Sequence, residues 1–253
     1  MSWYKKGDEG YQALREREEH EAEERSRRVF RVWLREGEKG KFTFLDNDGF
    51  FYKEHNLKLR GKWGNFFTCP GDYTECPLCD SGERASSVAA FTVIDHRPYE
   101  VKHGPDKGKI RKNVKKLLVV KRGALHKLMD RRQKLGEKGL LYGVFEFARF
   151  SATECNTGEQ FDFLGKRFSP DKLKTLAPKG ADPDEWIKPF DYFELLAPRS
   201  VEELRKVVGQ VVVGADSGTT KDNKTTDTDD VDFSKLTENE EVEGEDISLD
   251  DLL

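Results

Sequence analysis

The sequence has no apolar run long enough to cross a lipid bilayer, and its first residues, Met-Ser-Trp-Tyr-Lys-Lys, lack the apolar stretch of a signal peptide. These two absences argue against a membrane protein and predict an intracellular one. Cysteine is also scarce, with four among 253 residues. Three of the four are clustered, which favours a metal site in a reducing compartment over a framework of disulfides.

Charge is plentiful but unevenly distributed. Charged residues make up 36% of the chain, as do hydrophobic ones, so much of it must be solvated surface, linker or tail. The net charge of −4 combines −11 on residues 215–253, from fourteen Asp/Glu and three Lys, with +7 on residues 1–214. A basic body predicts a polyanionic partner, and an acidic tail predicts a basic partner or competition for the same groove.

Three regions follow from this composition. Residues 1–28 are predicted to form a charged arm, because Glu and Arg are interleaved as in a solvated helix with i,i+4 ion pairs. Residues 29–214 predict the folded body. Residues 215–253 predict a disordered acidic tail, since Thr, Asp, Asn, Gly and Lys dominate there. An alternative role for the arm is to dock on a neighbouring copy through Trp3, Tyr4, Lys5 and Lys6.

Short strands dominate the predicted body. They fall at 29–34, 42–45, 50–52, 88–94, 114–120, 140–150 and 160–164, with a polar loop at 95–113 and helices at 123–134, 170–177 and 200–208. Ser200 and Glu203 have the spacing of a capping box. The pattern is mainly β with α, and it predicts an OB-type Greek-key barrel with a zinc-binding subdomain inserted at about residues 53–87.

Three cysteines carry the metal-site prediction. Cys76 and Cys79 enclose Pro-Leu, a knuckle in which two thiolates separated by two residues share one ion, and Cys69 adds a third thiolate. A set of three thiolates and one imidazole leaves no open position, so we expect one structural zinc and no catalysis. The candidates for the fourth ligand are His55, His96 and Cys155.

A strongly basic segment follows the cysteines. Residues 97–134 contain fourteen Lys/Arg against three acidic residues, enough to track successive phosphates of a nucleic acid. The cations predicted to do so are Lys107, Lys109, Arg111, Lys112, Lys115, Lys116 and Arg122.

Aromatic rings beside these cations predict stacking with unpaired bases. The candidates are Trp63, Phe66, Phe67, Tyr73, Tyr99, Phe161 and Phe163. Tyr73 is the strongest, because it lies in a polar loop between two metal ligands. Phe145 and Phe147 alternate within a strand and are assigned to the core.

The cysteine segment resembles a known family. Gly71-Asp-Tyr-Thr-Glu-Cys-Pro-Leu-Cys79, preceded by Gly61-Lys-Trp63 and Thr68-Cys69, is similar to the zinc segment of T4-type phage single-stranded-DNA-binding proteins. In that family a histidine precedes three cysteines, and His55 stands at nearly the matching spacing. Phe91–Asp95, Gly108-Lys-Ile and Leu125–Leu128 resemble the family's order of strand, loop, strand and helix, and Leu249–Leu253 resembles its acidic terminus.

The resemblance implies an OB-fold, a zinc subdomain and a DNA groove between them, with Tyr73 matching a ring that lines the groove. It implies a protein, not an enzyme, that coats single-stranded DNA during phage replication, recombination and repair in the bacterial cytoplasm. The tail would recruit replication and recombination proteins through Asp246, Ile247, Leu249, Asp250, Asp251, Leu252 and Leu253. Two departures are the long Glu/Arg segment after Lys5-Lys6 and the unmatched residues 166–214.

Two other functions are open to a zinc site beside a basic surface. A zinc-dependent nuclease needs paired carboxylates or a histidine base near an open metal, whereas His96, His103 and His126 are scattered and Asp95 and Asp130 have no partner at useful spacing. A zinc-ribbon adaptor would instead bind RNA or protein.

Overall fold

A computed structural model of the chain describes residues 7–26, 29–59, 61–101, 107–213 and 245–246. The strands are β1 (Lys39–Phe44), β2 (Phe50–Leu59), β3 (Lys62–Thr68), β4 (Ala85–Asp95), β5 (Tyr99–Glu100), β6 (Ile110–Arg111), β7 (Val114–Lys121), β8 (Gly143–Ala148), β9 (Gln160–Arg167) and β10 (Glu245–Asp246). The helices are α1 (Asp8–Ser26), α2 (Pro77–Asp80), α3 (Arg122–Lys134), α4 (Pro170–Lys174), α5 (Pro183–Trp186), α6 (Tyr192–Leu195) and α7 (Val201–Val213), with a 3-10 turn at Gly136–Lys138. The protein is therefore mainly β with several helices, as the sequence predicts.

Strand β4 is the centre of the sheet. Along one edge it pairs first with β2, with Ala85 opposite His55, and then with β1, with Val93 opposite Phe44. Along the other edge it pairs with β7, and all three pairings are antiparallel. The turn at residues 46–49 therefore does not join β1 and β2 into a hairpin. Both follow the same edge of β4, and β8 and then β9 extend the sheet beyond β1.

A cluster of phenylalanine rings forms the main core. Phe42, Phe44, Phe91, Phe145 and Phe147 are all fully buried, and Phe44 meets Phe145 edge to face with ring centroids 5.0 Å apart. Burial of a ring of this size contributes roughly 1.5–3 kcal/mol, and each such ring pair about 0.5–1.5 kcal/mol more. The assignment of Phe145 and Phe147 to the core is confirmed.

Three of the rings predicted to stack on bases pack in apolar clusters, with Phe67 buried and Phe161 and Phe163 partly buried. Phe161 and Phe163 of β9 lie against the main core, with the Phe161 ring 5.1 Å from Phe147 and the Phe163 ring 5.2 Å from Phe145. Phe67 is buried in a second cluster beside the cysteines. The sequence could not separate these rings from exposed ones, because a shift of one residue in register exchanges the two faces of a strand.

The predicted strand at 29–34 is an extended segment that lies beside β7. It makes one isolated parallel bridge, between Arg31 and Leu117. The amide of Leu117 donates to the carbonyl of Phe30 at 3.0 Å, and the amide of Val32 donates to Leu117 at 2.8 Å. Val32 and Leu34 enter the main core, so the segment covers an edge of the sheet without being a full strand.

The prediction of a polar loop at 95–113 is partly wrong, because β4 continues to Asp95 and two short strands, β5 and β6, pair within this range. Tyr99 lies opposite Arg111 and Glu100 opposite Ile110, antiparallel. Residues 97–101 and 107–113, called the basic hairpin below, thus contain a separate two-stranded sheet that follows the β4–β7 pair along the chain.

Residues 168–213, called the belt below, pack against the sheet, and the helices predicted at 170–177 and 200–208 are present in them as α4 and α7. Leu173 and Trp186 pack with Leu45, which follows β1, and with Ile94 of β4 and Val144 of β8, and Leu196 packs on β4 and β7. The belt ends in α7, whose capping box is confirmed: the Ser200 amide donates to Glu203 at 3.0 Å and the Glu203 amide to Ser200 Oγ at 3.3 Å. Helices α5 and α6 are too short for their periodicity to be read from sequence.

The ends of the chain are only partly described. Helix α1 agrees with the helix predicted for the charged arm, while Trp3, Tyr4, Lys5 and Lys6 lie outside the described residues. The tail predicted to be disordered also lies outside them, apart from residues 245–246. The tail residues predicted to recruit partners that fall outside are Ile247, Leu249, Asp250, Asp251, Leu252 and Leu253. Glu245–Asp246 pair in parallel with Lys166–Arg167 of β9. In the ranges that are described, none of the helices has the length and apolarity to span a membrane.

Candidate metal centre and nucleic-acid interface

His55, Cys69, Cys76 and Cys79 meet at one point. Their ligand atoms all lie within 4.8 Å of one another. The Cys69 sulfur is 3.7 Å from that of Cys76 and 3.5 Å from that of Cys79, and His55 Nε2 is 3.4 Å from Cys76 and 3.6 Å from Cys79. Two sulfurs bound to one tetrahedral zinc at about 2.3 Å each lie about 3.8 Å apart. The cluster can therefore hold a metal ion, with dimensions compatible with zinc.

Local backbone structure brings the four ligands together. His55 lies on β2 opposite Phe67 of β3, and just beyond β3 the Cys69 amide donates to the Lys53 carbonyl at 2.8 Å. Cys76 precedes α2, and Pro77 takes the first helical position, where its missing N–H costs nothing. The Asp80 amide then donates to the Cys76 carbonyl at 3.1 Å, which closes the knuckle.

Gly71 fits the space beside the sulfurs. A Cβ at this position would lie 3.2 Å from the Cys69 sulfur and 3.6 Å from the Cys79 sulfur. The Gly71 amide also donates to the Cys69 sulfur at 3.4 Å, as expected for a residue that supports a thiolate ligand. A side chain here would crowd the ligands.

The pKa values of three ligand side chains are shifted by burial, so that two thiols are protonated and the imidazole is neutral until a cation displaces the thiol protons. Burial raises the pKa of the Cys69 thiol, and burial followed by the neighbouring thiols raises the pKa of Cys79. Burial lowers the pKa of His55 and so favours the neutral imidazole, the form that binds metals. A bound metal would hold the thiolates deprotonated and release their protons.

The other two candidates for the fourth ligand are engaged elsewhere. His96 Nε2 lies 2.7 Å from Thr43 Oγ1 and its Nδ1 lies 2.8 Å from Asn113 Oδ1. The Cys155 thiol bonds with Thr157 and with the Gly158 carbonyl, both at 3.2 Å. His55 is thus the histidine that joins the three cysteines.

A small cluster of apolar side chains surrounds the metal cluster, and some of these side chains come from helix α7. Residues 56–84, called the insert below, separate His55 from Ala85, the last pair of the β2–β4 pairing, and within them the end of β2 pairs with β3. Leu57, Phe67 and Leu78 of the insert pack with Leu204 and Val207 of α7, in contact with Cys69 and Cys76. An exposed ion pair, Arg205 to Glu75 at 2.9 Å, joins the same helix to the loop between two ligands.

No family model matches this chain, and no curated protein matches it. The chain's own residues therefore carry the argument about its function.

Two predicted stacking rings project from the insert. Tyr73 is 91% exposed and Trp63 is 65% exposed. A turn holds Tyr73 in place, since its amide donates to the Pro70 carbonyl at 2.8 Å and neighbouring Asp72 bonds to Lys53 Nζ at 2.6 Å. Phe66 is half-buried, and the Arg31 guanidinium lies 3.9 Å from its ring centroid.

The predicted cations differ in how far they are available to a phosphate. Lys107, Lys109, Arg111 and Lys112 of the basic hairpin, and Arg122 at the start of α3, are exposed. Lys116 bonds to buried Asp95 at 2.7 Å and its Nζ lies 5.3 Å from the half-buried Tyr99 ring. Lys115 lies 4.6 Å from the Phe190 ring, and burial lowers its pKa. Contact of these residues with DNA stays a prediction.

Sequence reasoning missed a buried acid that ties the belt to the sheet. The side chain of Asp46 accepts hydrogen bonds from the Thr92 amide, at 2.9 Å, and from the Tyr192 hydroxyl on α6. Burial raises the pKa of Asp46 to about 7. From sequence, Asp46 is only the first residue of a turn, because Tyr192 is far away along the chain.

Proposed function

We propose that this protein binds single-stranded DNA without sequence specificity. The observation that supports it best is the 91% exposure of Tyr73 on a loop fixed between two ligands of the metal cluster, on the same chain as an exposed basic hairpin. Rings stack on unpaired bases, and lysines and arginines bind phosphates. The resemblance of the cysteine segment to T4-type phage single-stranded-DNA-binding proteins points to the same function.

The fold supports the proposal through its strand connections. We propose that the sheet is an OB-type barrel, in which β1 and β2 share one edge of β4, β7 lies on its other edge, α3 follows β7 and β8 returns beside β1, with the insert between β2 and β4. OB folds bind single strands on a sheet surface. The metal is a structural zinc in this proposal. Three thiolates and one imidazole fill a tetrahedron, so the ion would stabilise the insert and leave no position for substrate.

The acidic tail has two roles in the proposal. It competes with DNA for the basic surface and recruits replication or recombination proteins through its hydrophobic tip. The parallel pairing of Glu245–Asp246 with Lys166–Arg167 supports the first role, because it lays tail backbone along a basic strand of the body. A chain ending at residue 214 is expected to bind DNA more tightly at low salt, where competition between charges is strongest.

A fluorescence titration tests the function directly. Poly-dT, duplex DNA and single-stranded RNA are titrated at several salt concentrations, and poly-dT is expected to bind more tightly than duplex, whose bases are already stacked. Replacing Lys107, Lys109 and Lys112 by Ala should reduce the slope of log K against log salt by about 2, since each contact contributes about 0.7 on a single strand. Equal affinity for duplex, or no binding of poly-dT, contradicts the proposal.

A further inference from the structure

Trp33 is an exposed ring that neither the metal cluster nor the core explains. Its side chain is 48% exposed, although Val32 and Leu34 on either side of it are buried. Side chains alternate between the two sides of an extended segment, so Arg31 and Trp33 share the outer side, with Cα atoms about 7 Å apart. A single exposed ring is common on a protein surface. Trp33 is a candidate for a function because it lies between two parts of the predicted interface, the insert and the basic hairpin.

On one side of Trp33, Arg31 connects the segment to the insert. The Arg31 guanidinium lies 3.9 Å from the Phe66 ring centroid. The same group donates to Glu54 Oε2 at 2.8 Å, and the Tyr52 hydroxyl donates to that oxygen at 2.9 Å. These contacts fix the outer side of the segment against β2, which carries His55, and β3, which carries Trp63.

On the other side, Trp33 is joined to the base of the basic hairpin. Its carbonyl accepts a hydrogen bond from Arg97 Nη1 at 3.2 Å, and Arg97 Nη2 donates to Asp95 at 2.7 Å. Asp95 also accepts from Lys116, whose Nζ lies 5.3 Å from the Tyr99 ring. Contacts through Arg97, Asp95 and Lys116 therefore link the Trp33 carbonyl to the Tyr99 ring.

We infer that Trp33 is a base-stacking residue of the nucleic-acid interface, placed between the rings of the insert and Tyr99 of the basic hairpin. This inference rests on the proposed function and adds a residue to it. The occupant is an unpaired base of a single strand, since an indole face stacks on any base. The main chain at Trp33 is already held by Arg97 and by the hydrogen bonds of neighbouring Val32 to Leu117, so little order is lost on binding.

Substitution of Trp33 tests the inference. Trp33→Ala is expected to weaken binding of poly-dT by about 5- to 100-fold, the range of one lost stacking contact. Trp33→Phe should retain most of the affinity, and neither variant should change the salt slope, because no phosphate contact is removed. The matched control is Phe193→Ala. Phe193 is 82% exposed but is flanked by Asp191 and Glu194, so its loss should leave affinity unchanged.

Metal content and thermal midpoint show whether each variant is folded. A second measurement does not depend on the alanine variant: the indole emission quenched at saturation by poly-dT should be smaller in Trp33→Phe than in the unmodified protein. Unchanged affinity of Trp33→Ala together with an unchanged quench overturns the role of Trp33 while the proposed function stands. Failure of the unmodified protein to bind poly-dT overturns the proposed function itself.

Discussion

The insert and the body of the sheet are stabilised in different ways. The body buries five phenylalanine rings in mutual contact, together with leucine and valine side chains from α3 and from the segment at 29–34. Among its described residues the insert buries few apolar side chains besides its cysteines, and these pack with Leu204 and Val207 of α7. They are Leu57, Phe67, Pro70, Pro77 and Leu78. So few apolar groups cannot offset the conformational entropy of nearly thirty ordered residues. The body is therefore expected to fold by burial alone, and the insert is expected to need a bound metal.

The strongest test of this difference is to remove one ligand. Cys76→Ser is expected to lower the metal content from about one ion per chain to nearly zero, since binding of structural zinc in small domains is worth roughly 10–16 kcal/mol. Hydrogen exchange should then accelerate in the insert and in α7 and remain slow in the body. Metal analysis and exchange mass spectrometry measure both effects.

Cys155→Ser is the matched control for that experiment. This thiol bonds only within its own turn, so metal content and exchange should not change. The converse variant is Phe145→Ala, which should lower the free energy of unfolding by about 3–5 kcal/mol and leave the metal in place. A Cys76→Ser protein that keeps its metal and its protected insert would remove the distinction between the two regions.

The second test concerns Asp46, a buried acid of the body whose pKa is raised by burial. The pKa of Asp46 is about 7 when folded and 3.8 when unfolded, so the folded state binds the proton more tightly. The stability that this proton provides is complete below pH 4 and is lost as the pH rises to 7. At about 1.4 kcal/mol per pKa unit, the loss is about 4 kcal/mol.

Asp46→Asn removes this titration. The unfolding free energy of the unmodified protein should fall relative to the variant between pH 4 and pH 7, and urea denaturation at a series of pH values measures the difference. Parallel curves for the two proteins would show that Asp46 does not titrate in this range. Exchange in α6 is expected to follow the same pH dependence, because Tyr192 bonds to Asp46.

The smallest expected effect tests whether helix α7 of the belt stabilises the insert. Leu204 is fully buried against the insert, and Leu204→Ala should destabilise the docking of α7 by about 2–3 kcal/mol and speed the release of metal to a chelator. Arg205→Ala is the neighbouring control. Its ion pair with Glu75 is exposed and is worth less than about 1 kcal/mol, so metal release should be unchanged. Equal release rates from Leu204→Ala and the unmodified protein would show that α7 does not support the cluster.

The metal cluster could be predicted from sequence because its ligands are close along the chain and because a knuckle is a local structure. His55 could not be separated from His96 in this way, since the choice depends on β2 pairing with β3. The five core rings have no such local signal, and Phe67, Phe161 and Phe163 looked as available as Trp63. Their burial is set by the register of β3 and β9.

The belt could be predicted only in part. The helices predicted at 170–177 and 200–208 correspond to α4 and α7, whereas the four-residue helices α5 and α6 contribute too few apolar residues for a periodic pattern. Trp33 was missed for a related reason: the segment at 29–34 alternates like a buried strand, and only its position beside β7 leaves the indole exposed. Asp46 was missed because its partner Tyr192 belongs to the belt.

The position of the ligands along the chain bears on the order of folding. All four lie between His55 and Cys79, and the central strand β4 begins only at Ala85. A ribosome therefore delivers the whole ligand set before it delivers the strand on which β1, β2 and β7 assemble. Closing the insert around an ion would bring Ala85 close to His55, its partner on β2, which removes part of the loop-closure entropy from that step. The ion would then act as a template for strand pairing during synthesis.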